Sequence, residues 1–149
     1  MSRRIRLAAI LAGVFVFLSV SLLLTRGLVA PGAERSRVLD LLRDQAAGDT
    51  AAVLKRLPDC AAEPACVRVT TERTRKLARP GEVQILNYMP SVQLAVTNQE
   101  GSGRVAWRTD KRRFPVVQCV RVRREGPLSG GHVTLISISN PVGLEATCG

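Results

Sequence analysis

Aromatic residues are scarce in this chain of 149 residues: one Trp, one Tyr and three Phe. Two of them, Phe15 and Phe17, fall in an apolar N-terminal run, so no platform remains for stacking bases or sugars. Histidine is scarcer still, with His132 alone. That leaves no His cluster to ligate a metal and no visible nucleophile–base pair. Cys-x-x-Cys pairs, a Gly-rich phosphate loop and a glycosylation sequon are absent. No catalytic residue, cofactor-binding residue, metal ligand or cofactor is therefore assigned. Lysine occurs only at Lys55, Lys76 and Lys111, against many arginines. With abundant Ala, Val, Leu and Gly, this resembles translation from a GC-rich bacterial genome.

What is present begins with a long uncharged stretch, Leu7 to Leu24, "LAAILAGVFVFLSVSLLL". As a helix it would be about 27 Å long, near the hydrocarbon thickness of a bilayer. It follows Arg3, Arg4 and Arg6, and basic residues stay cytoplasmic. The expectation is a single-pass cell-membrane protein: residues 1–26 as basic flank and transmembrane anchor, 27–35 as tether, and 36–149 as an extracytoplasmic domain. The alternative is secretion after cleavage of a signal peptide, although "TRGLVAPGAERS" offers no clean Ala-x-Ala site. Removing the three N-terminal arginines from 22 basic residues leaves 19 against 12 acids. Such a domain is drawn to anionic lipid, acidic wall polymer or an acidic partner; nucleic acid fits that side of the membrane poorly.

Four cysteines in a small exported domain read as disulfides. Their spacings, with 5, 52 and 28 intervening residues, suit neither a zinc cluster nor a dithiol centre. Of the three possible pairings, the favoured one joins Cys60 to Cys66 around Pro64 and Cys119 to Cys148. The second link would hold the terminal "EATCG" on the strand "VVQCVRV".

Ser36 is a plausible helix N-cap, and Val38, Leu41, Leu42 and Gln45–Ala46 share one helical face. Gly48 suits a helix end and Asp49 or Thr50 the next start, with Pro58 as the stop. A further helix is expected from Pro64 to about Ala78, turning Val67, Thr70, Thr71, Thr74 and Leu77 inward; Pro80-Gly81 ends it. From residue 82 the period changes to two, with strands expected at 82–88, 91–97, 103–109, 114–124 and 131–139. Short turns between them make antiparallel neighbours. The expected fold class is thus α+β: an N-terminal transmembrane helix, then about three helices packed on a curved antiparallel sheet of four to five strands.

"DKRR" (110–113) and "RVRR" (121–124) bracket the strand that holds Cys119. Lys111, Arg112, Arg113, Arg121 and Arg123, with Arg108 and Arg124 nearby, form a possible anion-binding patch. Trp107 reads as a core aromatic, and His132 as a residue at a strand end.

The opening "RVLDLLRDQAAGDTAAVLKRL" resembles the first helices of the nuclear transport factor 2-like superfamily, the cystatin-like α+β cones. The resemblance covers about residues 36 to 148. An anchored version is also similar to single-span scaffold subunits of bacterial secretion and conjugation machines. Many small bacterial members of the superfamily have no assigned activity. Its enzymes line the cone with His, Asp and Tyr, a set this chain's one His and one Tyr leave incomplete, which points away from an enzyme. The anchor, the paired cysteines and the missing catalytic residues together point to a non-enzymatic interaction or scaffold domain tethered to the bacterial membrane, with an envelope protein as partner. One alternative is a small-ligand-binding or enzymatic cone working through His132 or Tyr88. The other is a membrane-proximal binder of polyanions, anionic lipid or wall polymer, through the basic patch.

Overall fold

The computed structural model describes residues 3–90, 99–125 and 132–148. Helix α1 (Arg3–Ala47) comes first, followed by α2 (Thr50–Arg56), α3 (Pro58–Ala61) and α4 (Pro64–Leu77). Strands β1 (Val83–Met89), β2 (Gln99–Thr109), β3 (Val116–Glu125) and β4 (His132–Ile138) complete the chain. They form one antiparallel sheet in the order β1-β2-β3-β4. The α+β class with helices before a meander is therefore observed.

The N-terminal transmembrane helix is not. Among the described residues no helix is long and apolar enough to cross a membrane. Nor is the apolar stretch a separate element: it is the first part of a 45-residue helix. Residues 27–35, expected as a tether, are helical within α1. Gly27, Pro31 and Gly32 are weak helix formers, but a helix propagating from both sides adds a backbone bond per residue fixed. Leu11, Phe15 and Phe17 are exposed on this part of α1.

The second part of α1 is the core helix. Val38, Leu41 and Leu42 have no exposed surface. They pack with Val53 of α2, Leu77 of α4 and Trp107, Val120 and Leu135 of the sheet. Gly48, at φ 77°, ends α1 in a left-handed conformation that a side chain would strain. The Gly48 N–H donates to the Gln45 carbonyl and the Asp49 N–H to the Asp44 carbonyl, the Schellman pattern. Asp49 then caps α2, its carboxylate accepting from the Ala52 N–H at 2.9 Å. Pro64 occupies the first turn of α4, as its sequence position suggests.

On α4 the inward face differs in detail from expectation. Thr70, Thr74 and Leu77 are buried, but so is Arg73, whereas Thr71 is exposed and returns its hydroxyl to the Val67 carbonyl at 2.8 Å. The Arg73 guanidinium donates to Thr70 Oγ1 at 3.0 Å, and burial pushes its pKa down from the ordinary arginine value.

β2 begins earlier than its composition suggests, because Gln99 to Ser102 already pair with β3. Backbone pairing needs no apolar side chain, so "QEGS" is carried by its neighbour. The expected strand at 91–97 lies outside the described residues. After β4 the chain stays beside β3: Ser139 donates to the Cys119 carbonyl and Val142 to the Val117 carbonyl, each at 2.8 Å.

Candidate functional site

Both expected disulfides are present. Cys60–Cys66 links α3 to α4 with its Cα atoms 5.2 Å apart. Cys119–Cys148 links β3 to the C-terminal segment with Cα atoms 5.6 Å apart. No free cysteine accompanies them among the described residues. Two closed disulfides fit an oxidising, extracytoplasmic setting.

The five cations expected as one anion patch are not brought together. Lys111, Arg112 and Arg113 lie in the turn after β2 and are exposed. Arg121 sits opposite Ser102, towards the far end of the same hairpin. Five residues of strand separate Val116 from Arg121, about 17 Å. Arg121 and Arg123 are also occupied. Arg121 meets Glu100 at 3.1 Å, and Arg123 bridges Glu100 at 2.7 Å and Asp59 at 3.0 Å. Arg124 turns to the helix side and pairs with buried Glu34 of α1. The two-residue period of a strand sends Arg123 and Arg124 to opposite faces.

That inward pairing forms a triad. Arg124 donates to Glu34, its Nε lying 3.1 Å from Oε2, and the Tyr88 hydroxyl donates to Oε1 of the same carboxylate. Burial, and then the bond to Glu34, pushes the Tyr88 phenol well above its ordinary value. Tyr88, half-buried, thus serves as a neutral donor that ties β1 to α1. A second buried network centres on Gln118. Its side-chain oxygen accepts from Trp107 Nε1 at 2.8 Å and from Gln45 Nε2 at 2.9 Å, while its own nitrogen donates to the Ser139 carbonyl. Both networks join α1 to the sheet with matched donors and acceptors, as buried polar groups require.

The cations that do converge are different ones. A cleft of about 550 Å³ opens between α1, α2 and β4, and Arg37, Lys55, Arg56 and His132 are on its walls. Arg37 lies one turn before the core residue Leu41, on the open side of α1; Lys55 and Arg56 close the last turn of α2. Arg56 is held by Asp44 and, at 3.6 Å, by Asp40. Arg37 and Lys55 are exposed and have no ion pair among the described residues. His132 is exposed at the start of β4. The floor is the strand itself, His132 through Leu135. Sequence reasoning placed His132 at a strand end correctly but missed its neighbours, because residues 37, 55 and 132 become adjacent only when α1 and α2 fold over β4. The adjacent pair Lys55-Arg56 before Pro58 was the one local signal.

Among the described residues no group of three His, Cys, Asp or Glu side chains is placed to hold a metal ion. Asp44 also lines the cleft, its charge met by Arg56; beyond that pair the cleft offers two unpaired cations, an imidazole and strand backbone, groups that attract and orient an anionic partner. No protein-family model, curated protein or solved structure matches the chain.

Proposed function

We propose that this protein is a non-enzymatic, extracytoplasmic interaction domain that recruits a negatively charged protein partner through the cleft between α1, α2 and β4. The observation that carries this reading is the pair Arg37 and Lys55, exposed and without ion pairs among the described residues, on the walls of one cleft. Cations left unpaired in a concave site raise the local concentration of anions. The disulfides support the compartment, and the order of elements supports the resemblance to nuclear transport factor 2-like cones. Polyanion binding now centres on this cleft; Arg121 and Arg123, which belonged to the hairpin patch, are neutralised by Glu100 and Asp59.

The test is binding of the full chain to immobilised polyglutamate, read at rising salt. Binding should weaken as salt shortens the screening length. The double substitution Arg37→Glu, Lys55→Glu should weaken it by about tenfold or more. The same reversal at Arg112 and Arg113, in the hairpin turn, should leave it nearly unchanged. Equal losses from both variants would show that net charge alone attracts the polymer, and the cleft reading would fall.

A further inference from the structure

Four consecutive residues of β4, His132, Val133, Thr134 and Leu135, line the cleft. Side chains on a strand alternate between its two faces, and here Val133 and Leu135 are buried whereas His132 is exposed. Four consecutive residues lining one cavity bring the strand's backbone, and not one face of side chains alone, to that cavity. Among the described residues β4 is the terminal strand of the sheet. Outside the sheet ladder, no backbone–backbone hydrogen bond among the described residues uses His132 to Ile138. α3 packs on β4, but from His132 to Leu135 the strand borders the cleft, and there its outward-facing amides and carbonyls are a template for another strand.

Proteins guard such edges with lysine, proline, a bulge or a covering helix; beside His132 to Leu135 the space is the cleft and not a helix. β4 has one bulge, at Ile136, which lies between the paired residues Leu135 and Ser137. The stretch from His132 to Leu135 has neither lysine nor proline, and its pairing with β3 is regular. The unguarded length is thus the length that floors the cleft. Helix cations Arg37 and Lys55 stand beside it, so an incoming strand meets positive charge on the helix side.

We infer that the cleft receives an extended acidic peptide segment of a partner protein, which adds to the sheet as a fifth strand along β4. This rests on the reading of the cleft given above. Main-chain hydrogen bonds to β4 hold the segment, and its acidic side chains select for it through Arg37 and Lys55.

Strand addition makes a demand that charge attraction does not. Only every second residue of the added strand turns its N–H towards β4. The probe is a ten-residue peptide alternating valine with glutamate, and two derivatives of it, one N-methylated at every valine and one at every glutamate. Full-length protein should bind the parent peptide. One methylated derivative should lose about tenfold or more in affinity, through its blocked hydrogen bonds, while the other should bind nearly as the parent does. Amide hydrogen exchange in β4 should slow with the parent peptide. If polyglutamate binds in the cleft but the two derivatives bind alike, strand addition is overturned and the cleft reading stands. If neither polyglutamate nor the parent peptide binds, both fall. If phosphatidylglycerol vesicles bind and the peptide does not, the partner is a membrane surface and the peptide proposal is overturned.

Discussion

Glu34 shows how much a single side chain can hold in place. It has no exposed surface and accepts from both Tyr88 and Arg124. A buried carboxylate is costly unless its charge and lone pairs are matched, and here a guanidinium and a phenol supply the match. Removing the acid leaves Arg124, whose side chain is only 14% exposed, without its counter-charge. Glu34→Ala should therefore destabilise the protein by about 3–5 kcal/mol, read as a lower denaturant midpoint. The companion change Arg124→Met removes the other charge. The double variant should recover part of the loss, since an apolar replacement of a whole buried pair is often tolerated.

Elements in this fold are joined at points that differ in how they could be anticipated. The break from α1 to α2 follows from Gly48 and Asp49, whose conformational freedom and side-chain oxygen act within a few residues. The tail after β4 is held by a longer-range device, Cys119–Cys148, with a sequence separation of 29 against 6 for Cys60–Cys66. In the chain-entropy description the longer loop restrains the unfolded chain by about 3.5 kcal/mol and the shorter by about 2.5 kcal/mol. Replacing both Cys119 and Cys148 with serine should consequently cost more stability than the same change at Cys60 and Cys66. Chemical denaturation of the two variants measures the difference. β2 illustrates the opposite case: "QEGS" carries turn-forming residues, yet its ladder to β3 makes it strand. Local preference loses there because the partner strand supplies the hydrogen bonds.

The molecule as a whole links its chemistry to its folding through Tyr88, the chain's one tyrosine. A free phenol titrates near pH 10. In the folded state that ionisation is pushed upward, first by burial and then by the bond to Glu34. A raised pKa means that folding favours the protonated form. The stabilisation is fully present below about pH 10 and is lost as pH rises beyond it. Tyrosinate absorbance should therefore stay low in the folded protein at a pH where free tyrosine is half ionised. It should then rise together with the loss of circular dichroism. A tyrosinate signal appearing at the free-phenol pH, ahead of unfolding, would contradict the triad.

Legible in the chain itself were the features that depend on near neighbours or on composition. The helix break at Gly48-Asp49, the start of α4 at Pro64, the two-residue period of the sheet and the inward Val38, Leu41 and Leu42 all belong here. So does the disulfide framework, because cysteine spacing excluded metal and redox clusters. The apolar N-terminal run was equally visible, but its composition predicted a separate membrane span where the fold continues one helix into the core. The site depended on distances that sequence spacing does not encode. Lys111 to Arg113 and Arg121 are near in sequence yet lie towards opposite ends of a hairpin, because strands extend about 3.4 Å per residue. Arg37, Lys55 and His132 are far apart in sequence yet share a cleft, because α1 packs on β4 and α2 packs on α1, burying the apolar faces between them. Local sterics and periodicity shaped the elements; burial of their apolar faces chose which charged groups would meet.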